Sequence, residues 1–106
     1  MEEKFINAIR AKQKIKLTFY SKEDIGVLVR TCAPMDFGPS RRAKEKNNRY
    51  HVWDYDSDTG THVLSLNPEQ IISIEVLDEH FEPSNFITWD TQKSPWFVAR
   101  DWENFS

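Results

Sequence analysis

Residues 48–66 constrain the fold more than any other segment, because they indicate two strands joined by a short turn. Two tyrosines, a valine and a tryptophan are crowded into residues 50–55, and aromatic and β-branched side chains suit a pleated, half-buried surface. Residues 57–60 (Ser-Asp-Thr-Gly) are typical of a turn, and residues 62–66 provide the returning strand. The segment therefore predicts a β-hairpin.

The length of the turn predicts which residues of this hairpin face each other. A four-residue turn sets Asp56 opposite Thr61, so that Trp53 faces Leu64. Because side chains alternate along a strand, the largely apolar face that contains this pair should point at the core. The same register pairs Tyr55 with His62 and His51 with Leu66, and it assigns to the other face Tyr50, Val52, Asp54, Val63 and Ser65. A slip of one residue would exchange the two faces.

A helix and two strands are predicted ahead of this hairpin. Apolar residues recur at helical spacing in residues 2–12, and an acidic pair lies in the first turn, where the helix dipole favours it. Residues 14–20 alternate between apolar and polar side chains, which indicates a strand with one buried face. A second strand covers residues 25–32, and we expect Pro34 to end it because proline cannot donate a hydrogen bond to the ladder.

Residues 34–48 predict a long irregular loop, of the kind that is often functional in a small domain. A fifth strand follows the hairpin at residues 70–77. Five short strands with tight turns favour a small, strongly bent antiparallel barrel over a flat sheet, because closure removes exposed edges. The predicted fold class is therefore mainly β (α+β), with an N-terminal helix and a five-stranded antiparallel barrel in one domain over residues 1–83.

The tail at residues 84–106 is rich in aromatic residues but has neither helical nor strand periodicity. Its large rings belong to Phe86, Trp89, Trp96, Phe97, Trp102 and Phe105. We expect this tail to wrap over the same domain and bury its rings, since aromatic side chains carry large apolar area. The alternative is an exposed aromatic surface that pairs with another chain.

The net charge of −3 conceals an asymmetry along the chain. Residues 1–49 contain twelve Lys or Arg against six Asp or Glu, and residues 50–106 contain two against eleven. A basic patch can therefore exist despite the acidic balance. The alternative is that two solvated faces partly neutralise each other.

The sequence predicts a cytoplasmic protein that needs neither a metal nor a cofactor. No apolar run approaches the ~20 residues that span a bilayer, the N-terminus lacks the order of a signal peptide, and Cys32 has no second cysteine to pair with. Asp54, Asp56 and Asp58 precede Gly60, but their spacing does not fit an EF-hand, so we interpret them as part of a hairpin turn. The sequence contains neither a Gly-rich phosphate loop nor a hydrolase elbow, which favours a non-enzymatic function.

Six short motifs follow one another in a recognisable order. They are Phe5-Ile6-Asn7-Ala8-Ile9 with the strand at 14–20, Arg30 with Pro34, Arg49-Tyr50-His51, Leu64-Ser65-Leu66, Gln70-Ile71 and Phe81-Glu82-Pro83. Through them, residues 5–83 resemble the WYL domain family, small Sm-like β-barrels found mostly in bacterial regulators. The resemblance implies a Sm/SH3-like barrel and a role in transcription regulation. Since no DNA-binding helix-turn-helix precedes the domain here, it implies a stand-alone, divergent version.

The resemblance also implies a site for a negatively charged ligand, thought to include nucleotides or nucleic acid. Members of the family hold such a ligand with a cluster of Arg and Tyr. This chain keeps Arg30 and Tyr50 of that cluster, but it has Ser65 and Gln70 at two positions that are usually basic. Of the name-giving Trp-Tyr-Leu, only Tyr50 is kept.

The residue types themselves suit the same chemistry. Arginine offers a planar fork matched to phosphate, and tyrosine can stack on a base. On neighbouring strands of one face, Arg30 and Tyr50 would share a pocket that the loop from Arg41 to Arg49 closes. The candidate ligand-binding residues are Arg30, Arg41, Arg42, Arg49, Tyr50, Ser65 and Gln70. The alternative is that Arg30 pairs with a carboxylate and that Tyr50 is packing.

Two functions follow as the main hypotheses from the sequence, ahead of a third and weaker one, an enzyme with no recognisable motif. The first is a non-enzymatic ligand-binding or regulatory domain that recognises an anionic ligand, a nucleotide or a single-stranded nucleic acid, through a basic and aromatic patch. The second is a protein-interaction module that docks on a partner protein or a second copy through its aromatic tail or a strand edge, because tryptophan is common at the energetic centres of interfaces.

Overall fold

The computed structural model describes residues 1–41 and 43–106. One helix, α1 (Glu2–Ala11), precedes five strands, which are β1 (Gln13–Ser21), β2 (Gly26–Pro39), β3 (Asn48–Asp54), β4 (Val63–Leu66) and β5 (Ile71–His80). The strands form one antiparallel sheet in the order β4-β3-β2-β1-β5. The prediction of a mainly β domain with an N-terminal helix and five antiparallel strands is confirmed. The sheet is not closed, because β4 and β5 remain its two edges among the described residues.

Helix α1 docks on the sheet through one apolar stripe. Phe5, Ala8 and Ile9 are buried, and their spacing of three and four residues places them on one face. Two glutamates lie in the first turn, and Lys12 ends the helix in the left-handed conformation with φ 55°. The helix is too short to be stable alone, so its stability comes from this packing.

Strand β2 is longer than predicted and connects the two halves of the sheet. Its residues 26–32 pair with β1, whereas residues 32–39 pair with β3. The prediction that Pro34 ends this strand is wrong. Pro34 lies beyond the part that pairs with β1 and beside an irregularity in the pairing with β3, a position where a missing N–H is tolerated. The predicted loop therefore shortens to the connection between Pro39 and Asn48.

The predicted register of the β3–β4 hairpin is wrong by one residue. His51 lies opposite Ser65, whereas the prediction set it opposite Leu66. The reason is the connection, in which the Asp54 N–H donates to the His62 carbonyl across 2.7 Å, so that residues 55–61 form the loop. Serine and threonine hydroxyls within this loop bond to one another and to the Thr61 carbonyl, which stabilises the longer turn.

The slip exchanges the two faces of β3. Tyr50, Val52 and Asp54 are buried, whereas His51 and Trp53 are half-buried on the opposite face. The core lies between the first face and helix α1. Its fully buried members include Phe5, Ile9, Ile15, Leu17, Cys32 and Val52.

The C-terminal tail packs over the sheet and reaches helix α1. Phe86 stacks on Trp53 with ring centroids 5.4 Å apart. Further along, Trp102 is 1% exposed, and its indole Nε1 donates to the Ile9 carbonyl across 2.9 Å. These contacts join the tail to the sheet and to α1.

One more finding concerns membranes. In residues 1–41 and 43–106, no helix combines the length and the apolar composition that crossing a bilayer requires.

Candidate ligand-binding cleft

A cleft lies between the tail and the face of β3 that carries His51. Its volume is about 360 Å³, and it is open to solvent. Side chains from β2, β3, β4, the loop after β2 and the tail line it, among them Asp36, Arg41, His51, Ser65, Trp89 and Phe97. The cleft thus combines aromatic, basic and neutral polar groups in one hollow.

One wall of the cleft is made by Phe97 lying directly on the backbone of β2. A Cβ placed on Gly38 would come within 2.6 Å of the Phe97 ring, so only glycine permits this approach. The Arg41 guanidinium lies over the same ring, 4.9 Å from its centroid, and Nη2 donates to the Pro95 carbonyl across 2.6 Å. Phe97 remains 47% exposed, so the wall presents a guanidinium over a partly accessible aromatic ring.

The carboxylate of Asp36 holds this wall in place. It accepts hydrogen bonds from the backbone N–H groups of Phe97 and Val98, each across 3.0 Å. It also accepts from Nη2 of Arg100 across 3.1 Å, while Nη1 of Arg100 donates to the Met35 carbonyl. Since three donors from the tail meet one buried carboxylate, the tail is fixed to β2 at this point.

Arg100 itself is enclosed by two indole rings. Its guanidinium carbon lies 4.1 Å from the centroid of Trp96 and 4.3 Å from that of Trp102. Burial lowers the pKa of Arg100 to about 10, although the Asp36 carboxylate opposes that shift. The pair therefore contributes no free charge to the cleft, because each group neutralises the other.

The floor of the cleft is a pair of polar side chains on neighbouring strands. His51 Nδ1 lies 2.8 Å from Ser65 Oγ, and His51 Nε2 lies 2.9 Å from the Gly38 carbonyl oxygen. Because a carbonyl oxygen only accepts, Nε2 carries the hydrogen in this contact. The imidazole is thus fixed at both nitrogens, and Ser65 remains exposed to the cleft.

Two smaller hollows extend the cleft at its ends. One is lined by Arg41, Phe97 and Lys46, whose ammonium donates to the Ser40 and Arg41 carbonyls. The other is lined by Trp89, which is 36% exposed, together with Lys93 and Asp90. Three cations against one uncompensated carboxylate give the extended cleft a positive balance, with aromatic rings at both ends.

The structure places Arg30 outside this cleft. Its Nη1 donates to the Asp56 carbonyl across 2.7 Å, and its Nε lies 3.9 Å from the Asp54 carboxylate. The guanidinium therefore lies against the β3–β4 loop, where it compensates a buried carboxylate. This is the alternative that the sequence left open.

Tyr50 is a packing residue in the core. Its ring meets Phe5 and Phe37 edge-on, with centroids 4.9 Å apart in both cases. Burial raises the pKa of its phenol, and the Glu2 carboxylate raises it further. Arg30 and Tyr50 lie on neighbouring strands, but Arg30 lies beside Asp54. Tyr50 is four residues from Asp54 on β3, which is roughly 13 Å along the strand. The structure therefore does not bring Arg30 and Tyr50 into one pocket.

The remaining predicted residues divide between the cleft and other places. Arg41 and Ser65 line the cleft. Gln70 is buried, where Nε2 donates to the Tyr20 carbonyl and Oε1 accepts from the Asn67 N–H, so it caps the turn before β5. Arg49 lines a separate hollow beside Lys44, and its buried Nε has no hydrogen-bond partner within the described part of the chain. Arg42 lies outside the described residues.

Sequence reasoning missed most of the cleft. His51, Trp89 and Phe97 were not singled out as ligand-binding residues, and Asp36 and Gly38 fell in a predicted loop. The tail supplied a signal in its aromatic residues, but no local pattern indicates which rings stay accessible. Among the described residues, no group of three His, Cys, Asp or Glu side chains is placed to hold a metal ion.

A scan against protein-family models, a search of curated proteins and a search of solved structures each found no match to this chain.

Proposed function

We propose that this protein is a non-enzymatic binding domain that holds an anionic ligand with an aromatic base, a nucleotide or a short single-stranded nucleic acid, in the cleft between the tail and β3. The observation that carries the proposal is the Arg41 guanidinium placed over the accessible Phe97 ring. A guanidinium over a partly exposed ring offers positive charge to a phosphate and a planar surface to a base.

The rest of the cleft supports this proposal. Trp89 offers a second accessible ring at the far end, and Lys46 and Lys93 add positive charge. Base–aromatic stacking is worth about 1–3 kcal/mol per base and tolerates any sequence. Two rings, each in a hollow that also contains a cation, therefore suit a strand of a few nucleotides.

The strand order and the N-terminal helix support the further proposal that the sheet bends towards a Sm- or SH3-like barrel of the WYL type. In that case the domain would be a divergent cytoplasmic member that serves regulation. The departures at Ser65 and Gln70 agree with a ligand site displaced from Arg30 and Tyr50 towards the tail, because Gln70 is engaged within the fold.

A binding titration tests the proposed function. The protein would be titrated into fluorescently labelled hexathymidylate DNA and hexaadenylate RNA at two salt concentrations. A phosphate contact requires affinity to fall as salt rises. Arg41→Ala is expected to weaken binding about tenfold and to lower the salt slope by about one. Lys22→Ala removes an equal charge from the exposed β1–β2 turn and serves as the matched control. Equal affinity of the two variants would remove the cleft as the site.

A protein-interaction function is the second candidate, and one surface favours it. Val27, Val29 and Ile72 are more than half exposed on β2 and β5, and Tyr20 on β1 is exposed beside Val27. The edge of β4 is open as well among the described residues. Light scattering of the wild type and of a Val29→Lys variant would test it. A wild-type dimer that the substitution dissociates would favour this function.

A further inference from the structure

His51 and Ser65 form the polar floor of the cleft, and they face each other directly across the β3–β4 ladder. His51 Nδ1 and Ser65 Oγ are 2.8 Å apart. The second ring nitrogen, Nε2, donates to the Gly38 carbonyl across 2.9 Å. This second bond persists whether the ring is neutral or charged, because Nε2 carries a hydrogen in both states.

The direction of the bond between His51 and Ser65 depends on the charge of the ring. In the neutral ring, Nδ1 has no hydrogen and accepts from the Ser65 hydroxyl. Ser65 then presents only lone pairs to the cleft. When the ring is protonated, Nδ1 donates to Ser65 Oγ, and the hydroxyl hydrogen is released to turn towards the cleft.

Protonation therefore changes the floor from an acceptor to a donor and adds a positive charge beneath it. The charged groups around His51 do not cancel this change. Asp36, opposite His51 on β2, accepts hydrogen bonds from Arg100 and three backbone N–H groups. Arg41 in the wall is positive, and Lys93 and Asp90, which carry opposite charges, both line the adjoining hollow. β4 contributes no ionisable side chain.

We propose that the His51–Ser65 pair determines the specificity of the cleft for phosphate-bearing ligands and makes their binding depend on pH. The inference rests on the proposed function, since it concerns the same cleft. A charge-assisted hydrogen bond from the floor to a phosphate oxygen is available only while His51 is protonated. A phosphate is therefore bound more tightly while the ring is charged, at acidic pH, than while it is neutral.

The first experiment measures hexathymidylate binding at about pH 5.5 and about pH 8, on either side of the ordinary histidine range. Its phosphodiesters keep the same charge at both values. The wild type is expected to bind about tenfold more tightly at the lower pH. His51→Gln, which retains an amide N–H for the Gly38 carbonyl, is expected to abolish the difference. Ser65→Ala keeps the imidazole but loses the hydroxyl donor. This variant should therefore retain only part of the difference in affinity between the two pH values.

His80→Gln is the matched control, because His80 is exposed on β5. It should leave the pH effect unchanged. The inference is overturned if the wild type binds equally at both pH values, or if His51→Gln keeps the full difference.

A second measurement separates this inference from the proposed function. Inorganic sulfate stays doubly charged at both pH values, and its binding can be followed by the amide NMR signal of Ser65. Sulfate binding at the lower pH alone supports the switch, even where the oligonucleotide does not bind, which would contradict only the nucleic-acid function. Sulfate binding that is equal at both pH values, or absent at both, contradicts the switch.

Discussion

The Asp36 carboxylate and the Arg100 guanidinium lie 3.1 Å apart, although 64 residues separate them in the chain. Their side chains are 9% and 1% exposed, so the ion pair is buried. The contact joins the middle of β2 to the C-terminal tail and orients the segment that carries Phe97. The wall of the candidate cleft therefore depends on a pair that is itself outside the reach of solvent.

Asp36→Asn is expected to lower the free energy of unfolding by about 3–5 kcal/mol, because it leaves the Arg100 charge buried without its partner. Glu79→Gln is the matched control, since it breaks the exposed pair with Lys14 at 3.4 Å, which should cost no more than about 1 kcal/mol. Urea unfolding of the two variants measures both values. Similar losses would show that the buried pair has no special role.

Gly38→Ala is expected to displace the Phe97 ring, because the new methyl group would lie 2.6 Å from it. The variant should fold with a loss of about 1–3 kcal/mol, typical of overpacking, and its ligand affinity should fall as well. Gly60→Ala is the control, since a Cβ there meets nothing within 4 Å. Thermal unfolding and hexathymidylate binding measure the two effects, and an unchanged Phe97 environment in Gly38→Ala would contradict the geometry.

The raised pKa of Tyr50 leads us to expect a loss of stability at alkaline pH. Burial, and to a lesser extent Glu2, raises the pKa of its phenol in the folded state. The unfolded chain therefore loses this proton first, near pH 10. Stability from this group is present below that pH and is lost as pH rises above it. Tyr50→Phe should flatten the alkaline fall in unfolding free energy, and an equally steep fall in the variant would contradict the assignment.

Arg30→Ala is expected to destabilise the domain without weakening ligand binding. The guanidinium donates to the Asp56 carbonyl and lies beside the Asp54 carboxylate. Losing a hydrogen bond that involves a charged group costs about 1.5–3 kcal/mol. Chemical unfolding and hexathymidylate titration of this variant check both parts. A loss of affinity as large as that of Arg41→Ala would return Arg30 to the binding site.

The elements of the fold could be predicted because their signals are local. The alternation in residues 14–20 and the apolar stripe of α1 each report a buried face within a few residues. The β3–β4 register could not be predicted, since hydroxyl bonds within residues 55–61 set the length of the turn. The prediction that Pro34 ends β2 is wrong for a related reason. Pro34 is tolerated because it lies beside an irregularity in the β2–β3 pairing, which the local sequence does not reveal.

The cleft was predictable only in part. Arg41 is predicted from its chemistry and Ser65 from its position in the family resemblance, and both line the cleft. Gly38 becomes informative only once Phe97, which is distant along the chain, lies upon it. The same holds for His51. Its contact with Ser65 depends on the β3–β4 register, and the predicted register is wrong by one residue. Contacts between distant segments have no local signature, which is why the site needed the structure.

The central claim is that ligand binds in the cleft beside Arg41 and Phe97. Amide NMR shifts during a titration with hexathymidylate test it most directly. The account predicts shifts at Ser40, Arg41, Ser65, Ser94 and Phe97, with little change at Val27 and Val29 on the opposite part of the sheet. Shifts concentrated at Arg30 and Thr31, or on the exposed face of β2, with a silent cleft would contradict it.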